Sequence, residues 1–214
     1  MNYPKEIARS LITIGAVGFT PKQPITFKSG IISPVYIDNR RFPFWPLEWE
    51  KVIKGFKYLI DQNKIEFDVI AGVEAAGIPH SAALGFFLQK PSVFVRKEAK
   101  DHGLKKRVEG GEIAGKKVIL VEDLITTGNS SLSVVEAIRR EGGLIEDCLI
   151  IVTYGFIEST QAFKNANVKL HALTSFPIIL EQALIAGKIN KEDKSIIEDW
   201  LNSPHEWGKK DGYE

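Results

Sequence analysis

Residues 118–131 read VILVEDLITTGNSS, and three changes of character within them set the local architecture. Val118 to Val121 are four consecutive apolar residues, the pattern of a strand buried on both faces. Two acids follow, Glu122 and Asp123. Then Thr126-Thr127-Gly128-Asn129-Ser130 leads into LSVVEAIRR, whose apolar spacing is helical. Strand, turn and helix in that order form half of a βαβ unit, where ligands bind beyond the carboxyl end of the strand.

The same alternation extends in both directions. Upstream, Val52, Ile53, Phe56, Leu59 and Ile60 stripe one face of a helix over residues 47–63, followed by a strand at 67–73, a helix at 78–88 and a strand at 92–95. Downstream of the helix at 130–140 come a strand at 144–153, a helix at 160–166 and a strand at 168–173. Two further helices close the chain, the last capped by Asn190 with Glu192 and Asp193 in its first turn. Before all of this, Ile7, Leu11 and Ile14 make a helix that Gly15 stops. Five prolines and three glycines then break residues 15–46 into an irregular hood. The fold class expected is α/β, a mostly parallel sheet flanked by helices with a small N-terminal hood. Residues 1–46 form the helix and hood, and 47–214 the core. Only residues 96–111 read as a long loop.

Composition narrows the function classes. With 28 Lys and Arg against 27 Asp and Glu, the net charge of +1 gives no global field to hold nucleic acid, so any anion site must be local. No apolar run approaches the roughly 20 residues of a membrane span. The N-terminus MNYPKEIARSLITIG lacks a secretory apolar core, which implies a cytoplasmic protein. Cys148 lies in an apolar run and reads as a buried structural thiol.

The chemistry of the turn follows from its residue types. Free amides at a helix start favour a phosphate, Gly128 lets the main chain approach it, and Thr126, Thr127 and Ser130 add hydroxyl donors. Ionised carboxylates only accept hydrogen bonds, which suits Glu122 and Asp123 to the vicinal hydroxyls of a ribose. Neither G-x-x-x-x-G-K-[ST] nor a post-strand G-x-G-x-x-G is present, so triphosphate and dinucleotide readings lose their main support. A Ser/Thr/Asn/Gly cluster alone is an ordinary helix cap. The adjacent acid pair points instead to a ribose 5-phosphate.

With its acid pair and Thr-Thr-Gly turn, VILVEDLITTGNSS resembles the signature with which type I phosphoribosyltransferases bind 5-phosphoribosyl 1-pyrophosphate (PRPP). The resemblance implies that Glu122 and Asp123 meet the ribose hydroxyls. It also implies that Thr126, Thr127 and Gly128 meet the 5-phosphate and that Leu124, Ile125, Asn129 and Ser130 are among the residues that bind PRPP. Glu122 stands where Asp is commoner, which keeps the charge.

Two other segments resemble the orotate phosphoribosyltransferases in particular. The first is RKEAKDHGLKKRVEGG, residues 96–111, a cationic segment with glycines at Gly103, Gly110 and Gly111. Alone it would read as a solvated charged loop. The resemblance makes it the catalytic loop, with Arg96, Lys97, Lys100 and His102 on the pyrophosphate. In that family the loop reaches the neighbouring subunit's site, which implies a homodimer. The second is TFKSGIISPVYIDNR, residues 26–40, whose resemblance implies that Lys28, Ser29 and Gly30 lie over the acceptor and pyrophosphate and that Thr126 is a further acceptor contact. A planar acceptor wants an aromatic face, for which Tyr36 is the candidate. GVEAAGIPHSAA, residues 72–83, resembles the pyrophosphate loop, although Ala76 stands where other branches have lysine. TYGF, residues 153–156, departs from the Asp-Arg pair that binds the acceptor in many orotate enzymes. Gram-positive-type members share both departures.

The expected reaction is attack of orotate N1 on the anomeric carbon of PRPP in pyrimidine biosynthesis. Mg2+ is held mainly through PRPP near Asp123, and Arg96, Lys100, His102 and Asp123 are the catalytic groups. Two alternatives remain open: another acceptor such as uracil or a purine, and a regulatory protein that kept the PRPP site but binds nucleic acid.

Overall fold

The structure is a computed structural model that describes residues 2–27, 29–98, 106–210 and 212–213. Helix α1 (Tyr3–Thr13) starts at Asn2, whose side chain accepts from the Lys5 amide, and it buries Ile7, Ala8 and Leu11. The hood follows as two small antiparallel ribbons. In one, β1 (Val17–Phe19) pairs with β4 (Val35–Ile37); in the other, β2 (Ile25–Thr26) pairs with β3 (Ile32–Ser33). A 3-10 helix (Asn39–Phe44) leads into α2 (Pro46–Asn63).

The core then runs β5 (Val69–Val73), α3 (Gly77–Leu88), β6 (Ser92–Val95), β7 (Val108–Glu109), β8 (Lys117–Ile125), α4 (Asn129–Arg140) and β9 (Leu144–Thr153). It ends with α5 (Ile157–Asn165), β10 (Lys169–Ser175), α6 (Phe176–Ile185), α7 (Lys191–Asn202) and α8 (Trp207–Lys210). Six strands make one sheet in the order β10-β9-β8-β5-β6-β7, parallel except for β7 at the edge. The expected mostly parallel sheet flanked by helices is thus present.

Side-chain alternation along β8 divides the interior. Ile119 and Val121 join the core shared with α1, α2, α6, α7 and the hood, whereas Val118 and Leu120 join the core beneath α4. With period two, Glu122 must then face α4 and Asp123 the hood. This is the link from sequence to site: two adjacent acids cannot share a face of one strand.

The strand holding the acids is longer than its apolar run. Pairing with β9 continues through Glu122↔Ile150 and Leu124↔Val152 to Ile125↔Thr153, so both acids lie within β8 rather than beyond its end. Residues 96–111 also differ from a continuous loop. Val108 and Glu109 pair antiparallel with Val95 and Phe94, because Val108 has an apolar place to go and β6 offers an open edge. The Asn190 cap forms as expected, with the Asp193 carboxylate accepting from the Asn190 amide in return. Among the described residues, no helix is long and apolar enough to cross a membrane.

His80, in the first turn of α3, is fully buried and accepts a hydrogen bond at Nδ1 from Trp49 Nε1, 2.9 Å away. Burial holds its pKa down at about 4 against an ordinary 6.5. As the pH falls below 6.5 an unfolded chain takes up this proton, while the folded chain refuses it until about 4. Stability is therefore lost across that window, by up to ~3 kcal/mol. Urea midpoints measured from pH 7 to pH 4 should fall more steeply for the wild type than for His80→Gln, which keeps an acceptor but does not titrate. Parallel curves for the two proteins would contradict this account.

Candidate active site

The turn between β8 and α4 is built around Gly128, whose φ of +88° lies where L side chains are strained. A Cβ there would also sit 2.8 Å from the Phe163 ring. The chain can thus reverse tightly over α5, leaving the first amides of α4 without intrahelical acceptors and facing outward from the strand end. Gly77 serves the same region from below. A Cβ there would come 2.5 Å from the Val121 carbonyl oxygen, so α3 packs directly on the strand that carries the acids.

The acids occupy the two faces that alternation assigns. Glu122 is 4 % exposed; one of its oxygens accepts from the Asp123 amide at 3.0 Å and the other from Ser131 Oγ at 3.1 Å. It therefore braces the turn at both ends. Burial, reinforced by the neighbouring Asp123 charge, pushes its pKa well up. Asp123 lies on the hood side, where Asn39 Nδ2 donates to its carbonyl oxygen at 3.0 Å. Burial raises its pKa too, while hydrogen bonds and the Lys97 charge pull it down.

A cavity of about 280 Å³ opens over this turn. Its floor is residues 122–131. Its other walls are Phe27, Ser29, Tyr36 and Ile37 from the hood, Lys97, and Tyr154 just past β9. Of the sequence-derived site residues, Ser29, Tyr36, Lys97 and every residue from Glu122 to Ser130 meet here, and Thr126 is among them. Lys28, Lys100 and His102 lie outside the described residues. A second cavity, of about 340 Å³, sits at the amino ends of the strands among Lys64, Lys117, Asp147 and His171. Open α/β sheets bind ligands at the carboxyl ends, which selects the first.

Arg96 does not line the cavity, and its role is partly set by its backbone. Its amide donates to the Arg107 carbonyl at 3.0 Å, and its own carbonyl accepts from Arg107 Nε at 2.7 Å. Arg107, only 9 % exposed, also donates through one terminal nitrogen to the carbonyl and hydroxyl oxygens of Ser133 on α4, each at 2.9 Å. The cationic segment is therefore pinned at its base to the helix whose start faces the cavity. Arg107, one of the cations counted in that segment, is an anchor. Lys97, held by its amide to the Glu74 carboxylate at 3.3 Å, points its charge toward the acids.

Sequence reasoning missed four contributors. Ser131 and Asn39 act through tertiary hydrogen bonds nine and 84 residues away, which no local pattern announces. Phe27 and Tyr154 come from different ends of the chain into one aromatic wall, their ring centroids 6.0 Å apart. The signal for Tyr154 was available only as a departure from the Asp-Arg pair.

A glycine turn at a helix start, a carboxylate beside it and aromatic rings above both suit a transferase that takes a sugar phosphate and a flat acceptor. Comparison with known proteins agrees. Residues 46–170 match the phosphoribosyl transferase domain family. The orotate phosphoribosyltransferase of Coxiella burnetii is 38 % identical over 97 % of this chain and 99 % of its own. That of Bacteroides thetaiotaomicron is 41 % identical over 96 % of this chain and 97 % of its own. Among solved structures, the orotate phosphoribosyltransferase of Aeropyrum pernix superposes with a TM-score of 0.75 at 29 % identity, over 86 % of this chain and 99 % of that one. The chain belongs to the orotate phosphoribosyltransferases of the phosphoribosyl transferase family.

Proposed function

We propose that this chain transfers the ribose 5-phosphate of PRPP to N1 of orotate, giving orotidine 5′-monophosphate and pyrophosphate, a step of pyrimidine biosynthesis. The observation that carries this reading is the placing of Asp123, the amides at the start of α4 and an aromatic hood around one cavity. The C–O bond to pyrophosphate breaks as the bond from N1 forms, the N1 proton is lost to the departing pyrophosphate, and positive charge develops on the ribose in the transition state. Asp123 faces that charge, while Thr126, Thr127, Asn129, Ser130 and the α4 amides hold the 5-phosphate. Lys97, with Arg96, Lys100 and His102 from the cationic segment, neutralises the departing pyrophosphate.

Among the described residues no cluster of three metal-ligating side chains occurs, but Asp123 offers one carboxylate oxygen set beside the cavity. That suits Mg2+, which binds through one or two carboxylates plus substrate phosphates rather than in an all-protein cage. When bound, the ion would offset charge on the pyrophosphate.

A homodimer is part of the same reading. Phe44 and Phe86 are each 83 % exposed and Leu47 is 76 % exposed, large apolar side chains that a second copy could cover. The work is expected in the cytoplasm.

Turnover with PRPP of orotate, uracil, hypoxanthine and adenine, followed by pyrophosphate release, tests the reading. Orotate should be used and the others not. Use of a purine or uracil in place of orotate would overturn the acceptor. Salt-sensitive nucleic-acid binding with no pyrophosphate release from any acceptor would replace the enzyme with a binding protein.

A further inference from the structure

Tyr154 follows the last residue of β9, and its ring is fixed on several sides. Phe156 stacks on it at 5.4 Å and 13°, Trp200 meets it edge-on at 5.4 Å, and Phe176 and Phe27 close in at 5.3 and 6.0 Å. A ring held in that way cannot turn its hydroxyl elsewhere. The residue is 3 % exposed and lines the cavity, yet its hydroxyl is buried with no hydrogen-bond partner among the described residues. Buried hydroxyls are almost always paired, so one left unpaired beside a ligand cavity is a hydrogen-bonding group that a ligand can satisfy.

The chemistry of that atom can be specified. Burial, with the Asp123 charge nearby, pushes the phenol's pKa up, so the group stays protonated and offers a donor. The other phenol on this wall, Tyr36, already accepts from Arg40 at 3.0 Å. Orotate presents carbonyl and carboxylate oxygens, all acceptors.

We infer that Tyr154 donates its hydroxyl hydrogen to an oxygen of the acceptor and so serves as an acceptor-binding residue of this chain. The inference rests on the orotate reading above. It does not depend on ring packing, since phenylalanine would fill the same aromatic cluster and remove the orphaned oxygen.

The test is Tyr154→Phe in the full-length protein, with both substrates titrated. KM for orotate should rise roughly 10- to 100-fold, KM for PRPP should be unchanged, and the melting temperature without ligands should stay level or rise. A wild-type KM for orotate in the variant would overturn the role of Tyr154 alone. A loss of thermal stability would overturn it as well, since it would give the hydroxyl a partner within the fold. Failure of the wild-type protein to use orotate would instead sink the acceptor reading.

Discussion

Asp123→Asn lowers kcat/KM for PRPP by about 100- to 1,000-fold while leaving the melting temperature level or higher, as removal of one preorganised charge-stabilising group does. The substitution keeps the shape of the side chain. It also keeps the Asn39 hydrogen bond to the backbone carbonyl of residue 123. What it removes is the negative charge that the proposed mechanism sets against the developing ribose cation. A half-buried carboxylate is held at an energetic cost, and burial is the first cause of its raised pKa. Relief of that cost outweighs the hydrogen bonds and the Lys97 charge that favour the ionised form, since the net shift is upward, so the melting temperature should not fall. The same raised pKa predicts that kcat/KM for PRPP falls as the pH drops through the pair's titration range, because protonation discharges the group. Steady-state kinetics with PRPP varied, beside a melting curve, decide the matter. Normal kinetics in Asp123→Asn would remove Asp123 from the site.

Lys100→Ala is the second large effect: kcat drops by about 100- to 1,000-fold with little change in KM for PRPP, since its charge is needed most as pyrophosphate departs. Residue 100 lies outside the described residues, but the segment that carries it leaves and rejoins the core at Arg96 and Arg107, which are bonded to each other and to α4. If the segment serves the neighbouring subunit, mixing Lys100→Ala with Asp123→Asn assembles some dimers in which one site receives both intact groups, and activity returns. A mixture as inactive as its components would restrict the segment to its own subunit. A single-turnover measurement on Lys100→Ala with an unchanged chemical step would refute the role itself.

What could be read from the chain before its structure depended on range. The strands at 92–95 and 144–153 were legible to the residue, because continuous apolar runs bounded by turn residues leave little choice. The turn at 126–130 was legible because glycine and hydroxyl residues at a strand-to-helix junction have a local explanation. The division of labour between Glu122 and Asp123 was within reach of period-two alternation, but the strand had first to be carried four residues past its apolar run, and only pairing with β9 shows that it continues. Val108 was hidden by the charges around it. Asn39, Ser131 and Tyr154 depend on contacts that only the folded chain creates, so no pattern near them in sequence could reveal what they do.

The roof over the cavity is tied down from the far end of the polypeptide. Trp200, on α7, donates through its indole nitrogen to the carbonyl of Ile32 at 2.9 Å, 168 residues away, and its ring packs edge-on against Phe27 and Tyr154. A ribosome adding about 5–20 residues per second needs roughly 10–30 s between those two positions. The hood emerges first, then waits for its clasp. A nascent chain therefore carries a strand-built floor well before it has a closed chamber, and the finished cavity is among the last features it acquires.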